Sequence, residues 1–300
     1  MSAREDSPIV RGLSRARIEG VEYMSSKVSI TLDDGLASVY WLAFPEMERY
    51  DMVGTAFVIS DLVGRRYLQH PVMNEKMLLA LSSAGWEIGS HTRTHQDLVS
   101  LPDQRMNEEL ELSKKHLESM IKKPVTSLAY PYGQFDSRVV LYAQRHYAWA
   151  RTVTQYPPLR LNSSTPRDRM RLEAMSVSEP VYTLPLHLYD AYVPRRVKRG
   201  FHKILQRRDY EVIPQHHLGE GTQYHLGGVI QTRPTSLNAK IVAKWIRKAR
   251  RDAWLILCFH NISRERTTDP YNVCLREFRE IVKVVAAGSR PVVPLGSEEE

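Results

Sequence analysis

The feature that most constrains this chain is a repeated alternation of short β-rich runs with amphipathic helical runs. "KVSITLDDG" (27–35) alternates, is rich in β-branched residues and stops at Gly35, so it reads as a strand ending in a loop. Residues 36–48 read as a helix and "MVGTAFVIS" (52–60) as the next strand. "NEKMLLALSSAG" (74–85) is helical up to its glycine, and "WEIGSH" (86–91) is a third strand. A long amphipathic helix over 102–123 is stopped by Pro124. Then come the strand "VTSLAYP" (125–131), a helix over 135–146 with Asp136 as its cap, and the strands "YAWARTV" (147–153) and "RLEAMSV" (171–177). Late in the chain a helix over 238–251, the strand "AWLILCFH" (253–260), a helix over 271–288 and "PVVPL" complete the series.

Such alternation implies a mostly parallel sheet with helices outside it. Seven or eight units over 300 residues predict an α/β fold, a distorted (β/α)7–8 barrel that is closed or nearly so. The barrel is expected over 27–295, after an N-terminal extension at 1–26. A segment at about 178–236 breaks the rhythm with prolines, basic residues and no clear period, and reads as a basic insertion. No run approaches the roughly 18 apolar residues of a membrane span. The first residues lack the apolar core of a secretion signal, and Cys258 and Cys274 are the only cysteines. Together these favour the cytoplasm. The formal net charge of +8 favours anionic partners: acidic substrates, nucleic acid or an anionic membrane surface met peripherally.

Polar residues gather where these strands end. Asp33 and Asp34 close the first, His91 closes the third with His95 just beyond, Tyr132 follows the fourth, and His260 closes the late strand. In a parallel barrel those ends converge on one face, where active sites form. Asp, His and His are an ordinary ligand set for zinc or a similar divalent ion, leaving one position for water. Bound there, water loses its proton more readily and a carbonyl is polarised. Hydrolysis also needs a base and an acid, for which the second aspartate and His260 are candidates. Each piece alone has a plainer reading: a turn, a helix cap, a core histidine. Their conjunction at matching strand ends is what points to chemistry.

"TLDDG", "SHTRTHQDL", "AYPYGQFD" and "LILCFHNI", in this order, resemble the successive motifs of the NodB-type polysaccharide deacetylases, carbohydrate esterase family 4. The resemblance covers about 27–178 and resumes from about 237 to 295. It implies Asp33 as general base, with Asp34, His91 and His95 binding the metal, most often zinc, with cobalt or nickel as alternatives. It implies that the Tyr132 N–H helps form an oxyanion hole, that Pro131 and Tyr132 line the cleft, and that Leu257 packs against the bound acetyl group. His260 would protonate the leaving amine. The implied reaction removes the N-acetyl group of an N-acetylhexosamine in a sugar, glycan or conjugate.

The chain departs from the family in three places. Leu32 replaces an aromatic residue. Ala129 stands where an arginine usually braces the base; Arg151 or Arg171 could substitute, whereas Glu173-Ala174 occupy the family's other arginine site. No aspartate is evident to orient His260. Competing readings are an amidase of the same fold acting on a non-sugar amide, and a catalytically dead glycan- or anion-binding module. Nucleic-acid binding rests on charge alone, with no motif to support it.

Two basic features remain. Arg195, Arg196, Lys198, Arg199, Lys203, Arg207 and Arg208 crowd the insertion, and Lys240, Lys244, Arg247, Lys248 and Arg251 fall on one face of the 238–251 helix. They read either as solvated surface or as a cationic lobe for an anionic substrate. His216, His217 and His225 lack carboxylate or cysteine partners for a second metal.

Overall fold

In the computed structural model, which describes residues 26–154, 162–163, 169–176, 182–185, 210–213, 229–232, 239–248 and most of 253–296, parallel strands close into a ring. They are β1 (Lys27–Leu32), β2 (Thr55–Val58), β3 (Glu87–Ser90), β4 (Ser127–Ala129), β5 (Trp149–Thr154), β6 (Leu172–Ser176) and β7 (Ala253–Phe259). Each pairs with the next, and β7 pairs back to β1 from Lys27↔Trp254 to Leu32↔Phe259. This is the barrel the strand–helix rhythm predicts, with seven strands.

The helices cover the outside. They are α1 (Glu75–Ser83), α2 (Asp103–Ile121), α3 (Ser137–Ala143), α4 (Ala239–Lys248) and α5 (Leu275–Ala287). Asn74 caps α1 by accepting the Met77 N–H at 3.0 Å, and Asp136 caps α3 by accepting the Val139 N–H at 2.8 Å. The helix expected over 36–48 forms over 37–48, with a π turn (Val39–Ala43) running into a last α-helical stretch (Phe44–Glu48). Pro45 has no N–H to give, so the regular ladder cannot run through it.

Period-two alternation divides every barrel strand between two layers. Val28, Ile30 and Leu32 of β1, Ile88 of β3, and Leu255, Leu257 and Phe259 of β7 pack outward against helix residues such as Leu78, Leu110 and Phe278. Phe57, Ala129, Trp149, Leu172, Trp254, Ile256 and Cys258 form a separate inner cluster. Gly89 belongs to the inner set: a Cβ there would lie 2.5 Å from the Phe57 ring, so that ring occupies the space a side chain would need.

The bottom of the barrel is stoppered by residues 291–296. Val28 N–H donates to Pro291 O at 3.1 Å and Val293 N–H to Val28 O at 3.0 Å. Leu295 N–H donates to Thr55 Oγ1 at 2.9 Å and Gly296 N–H to Glu87 Oε2 at 2.8 Å. Backbone and side-chain polar groups of β1, β2 and β3 at this end thus gain partners, whereas the buried Trp149 Nε1 has none among the described residues.

Within the insertion, Tyr182–Pro185, Tyr210–Ile213 and Val229–Thr232 form a three-stranded antiparallel sheet with the last strand central. The 1–26 extension apart from Ser26, the 195–208 basic cluster, Arg251 and His216, His217 and His225 lie outside the described residues. On α4, Lys240, Lys244 and Arg247 are exposed while Val242 and Ile246 are buried.

Candidate active site

The site is assembled by loops leaving the C-terminal ends of the strands. The Asp33 N–H donates to Phe259 O at 2.8 Å, carrying the β1–β7 ladder one residue further. The His91 N–H does the same towards Val58 O at 2.9 Å. Both side chains follow the inward parity of their strands. Beyond them the chain turns sharply: Asp34, Thr92, His95 and Tyr132 all adopt positive φ, between 57° and 66°. Each such residue costs roughly 1 kcal/mol or more, and such strain gathers where function over-determines the backbone. Hydrogen bonds hold it. Thr92 N–H reaches Ser90 Oγ at 3.1 Å and His95 N–H reaches Thr92 Oγ1 at 3.1 Å. The buried Glu109 of α2 grips Thr94 through its N–H at 2.8 Å and its hydroxyl at 2.7 Å.

Three potential ligand atoms converge. His91 Nε2 and His95 Nε2 are 3.2 Å apart, and Asp34 Oδ1 lies 3.6 Å from the first and 3.7 Å from the second. Zinc bonds of about 2.0–2.1 Å at tetrahedral angles would set ligand atoms roughly 3.3–3.4 Å apart, so the triangle fits such an ion. The histidines are oriented for it. His91 Nδ1–H donates to Ala129 O at 2.9 Å, which leaves a lone pair on Nε2 in the neutral ring. His95 Nδ1 pairs with the Tyr67 hydroxyl at 3.0 Å.

The electrostatics agree with a cation. Burial pushes His91 down to about 4 and His95 down to about 3, so both are neutral donors near pH 7. Burial, reinforced by the negative Asp33 alongside, pushes Asp34 up to about 8. A divalent charge among these groups reverses that last push, because it favours the carboxylate.

Asp33 is set apart from Asp34. Its Oδ1 is paired with the Arg151 guanidinium, and both side chains are buried. Burial alone would raise this carboxyl; Arg151, then His91 and His260, outweigh it and hold Asp33 below its ordinary value. Of the two arginines that could brace the base, the structure brings in Arg151, on inward-facing β5; Arg171 is exposed before β6. Cys258 also touches Asp33, with Sγ 3.4 Å from Oδ2.

His260 Nε2 lies 4.0 Å from Asp33 Oδ2 and its ring is 5.2 Å from Tyr271. Its buried Nδ1 has no hydrogen-bond partner among the described residues. Pro131 is buried, whereas Tyr132 is exposed with its ring 4.6 Å from His95. Gly133, at φ +68°, closes this turn beneath Thr152 and Val153.

Leu257 requires a correction. Expected beside the substrate's acetyl group, it packs in the outer layer with the helices, because it has the opposite parity to His260. Cys258, two residues before His260, is the one that faces inward. Parity alone could have identified it. Glu109 left no comparable mark in the sequence.

Residues 21–148 match the family model described as polysaccharide deacetylase. The match takes in Asp33, Asp34, His91, His95 and Tyr132 but neither Arg151 nor His260. The protein named "Putative polysaccharide deacetylase YxkH" of Bacillus subtilis (strain 168) is 30% identical over 118 residues, 39% of this chain and 41% of that protein. The poly-beta-1,6-N-acetyl-D-glucosamine N-deacetylase of Staphylococcus aureus is 26% identical over 122 residues, 37% of this chain and 42% of that protein. The matches thus span about two fifths of these relatives. A crystal structure of a polysaccharide deacetylase from Bacillus cereus overlaps 48% of this chain and 45% of its own, at 26% identity and a TM-score of 0.41.

Proposed function

We propose, from the premise that the 21–148 segment is of the polysaccharide deacetylase family, that this protein is a metal-dependent N-deacetylase. Its substrate would be an N-acetylhexosamine-containing sugar, glycan or conjugate, and its products acetate and a free amine. The observation that carries the reading is the division of labour between two adjacent aspartates. Asp34 joins two histidines in a ligand triangle, while Asp33 is held out of it by Arg151.

Asp34, His91 and His95 would hold the ion, with zinc favoured by the mixture of imidazole and carboxylate and cobalt or nickel able to replace it. Such an ion lowers the pKa of bound water and polarises the amide carbonyl. Asp33 takes the proton from the attacking water, and the Arg151 pair keeps its carboxylate ionised and aimed. The Tyr132 N–H and ring would face the acyl group. As the C–N bond breaks, His260 gives a proton to the departing nitrogen. One proton taken by Asp33 and one given by His260 balance over a turnover.

The test is acetate release from a panel of N-acetylated sugars, short glycans and simple acetamides, with chelator and after metal restoration. The reading expects release from the sugars that stops with chelator and returns with zinc or cobalt. Preference for non-sugar acetamides would favour an amidase instead. No release from any compound by metal-loaded protein would favour a binding module.

A further inference from the structure

The cysteine that faces inward on β7 belongs to a second set of ligand atoms beside the first. Cys258 Sγ lies 3.4 Å from Asp33 Oδ2, and His260 Nε2 lies 4.0 Å from the same oxygen. The ligand atoms offered by Asp33, Cys258 and His260 all fall within 4.8 Å of one another. Zinc bonds of about 2.3 Å to sulfur and about 2.0–2.1 Å to nitrogen and oxygen, at tetrahedral angles, would set sulfur and oxygen roughly 3.5–3.6 Å apart and nitrogen and oxygen roughly 3.3–3.4 Å apart. The thiol is thus close to that spacing already, and the His260 ring has to move in by about 0.6 Å. No hydrogen bond at its far side resists the move, because the buried Nδ1 has no partner among the described residues.

The plain reading of a buried cysteine is a small apolar residue that fills a packed layer. Cys258 differs in aiming its sulfur at a buried carboxylate, which it shares with an imidazole. Thiolate, imidazole and carboxylate together are a donor set that suits zinc and that magnesium or calcium passes over. The set has no residue in common with the triangle of Asp34, His91 and His95.

An ion here is held more weakly than one in that triangle. Asp33 Oδ2 is also 3.9 Å from His91 Nε2, so the two ions would be near neighbours, as in hydrolases whose paired metals stand about 3.5–4 Å apart. Arg151 already neutralises Asp33 through Oδ1, which leaves less negative charge to offset two cations. Burial also keeps the Cys258 thiol protonated, and that proton must pass to solvent as the metal–sulfur bond forms. The triangle therefore fills first, and the second set fills only in excess metal and empties again on dialysis.

We propose that Asp33, Cys258 and His260 form a second, inhibitory site for zinc, in which one ion ties up the base and the acid of the reaction together. The inhibition rests on the deacetylase reading, whereas the site rests only on the three side chains.

The experiment titrates metal-free protein with cobalt, which gives a near-ultraviolet charge-transfer band only when a thiolate binds it. Wild type is expected to develop the band with the second equivalent and not the first. Cys258→Ala, and Cys258→Ser with its closer shape, both keep Cys274 and should show no band. A band complete at one equivalent would make Cys258 a ligand of the first ion and overturn the proposal, as would no band in wild type or an unchanged band in the variants. Acetate release is then compared at one equivalent of zinc and in excess zinc, each protein against itself. Wild type should fall on the order of a hundredfold once the site is full, the usual cost of silencing a general acid–base group, and the variants far less. Magnesium in the same excess should slow neither. Equal falls in wild type and variants, or no fall in wild type, overturns the inhibitory site. If no compound yields acetate at one equivalent of zinc, the deacetylase reading fails by itself, and the cobalt titration alone decides the site.

Discussion

At the residue scale the decisive contact is Arg151 with Asp33, a pair joining β5 to the end of β1 with both members buried. Removing one partner of a buried pair leaves an uncompensated charge, which typically costs about 3–5 kcal/mol. Arg151→Met should therefore lower stability by an amount in that range. It should also lower kcat by about 10–100-fold, the usual effect of losing a group that orients active-site carboxylates and ligands. Adding Asp33→Asn should recover part of the stability and none of the activity. Denaturant unfolding and acetate release check both; an Arg151→Met protein as stable and as fast as wild type would remove the pair from the account. The sequence leaves Arg151 and Arg171 equally open, because nothing local says which face of each strand is the inner one. Parity does put Arg151 on the face of Trp149, and counting back from His260 chooses Cys258 over Leu257.

At the element scale most of the barrel was legible, and the reasons are physical. The strand–helix alternation, the Asp136 cap, the stop at Pro124 and the apolar stripe of α4 each reflect a local rule that the structure obeys. The helix over 36–48 forms over 37–48, and only its π turn ahead of Pro45 departs from the regular ladder. The antiparallel strands at 182–185, 210–213 and 229–232 were missed because four residues are too few to display a period. "PVVPL" shows no more than the end of the pattern in the sequence, yet it stoppers the barrel, and nothing local announces a long-range contact. Leu295 is fully buried in the inner cluster. Leu295→Ala should cost about 2–5 kcal/mol, the range for emptying a packed leucine site. The site lies at the opposite end of the strands, so KM should hold. A shift in KM with unchanged stability would contradict this division between base and face.

At the scale of the whole molecule, the closed ring brings residues from distant parts of the chain to one rim. Asp33 and Asp34 follow β1, His91 and His95 follow β3, Arg151 stands on β5 and His260 follows β7. Matching strand ends made the convergence predictable; what the sequence could not supply was the distance between ligand atoms, which rests on the turns at Asp34, Thr92 and His95. Asp34, His91 and His95 are expected to hold one ion on which acetate release depends. The most direct measurement is metal content by elemental analysis together with acetate release, on the same preparations of wild type and of the His91→Ala/His95→Ala double variant. About one divalent ion per wild-type chain is expected, with ion and activity lost together in the variant. Full metal occupancy in the double variant, or acetate release that persists once the metal is gone, would contradict it.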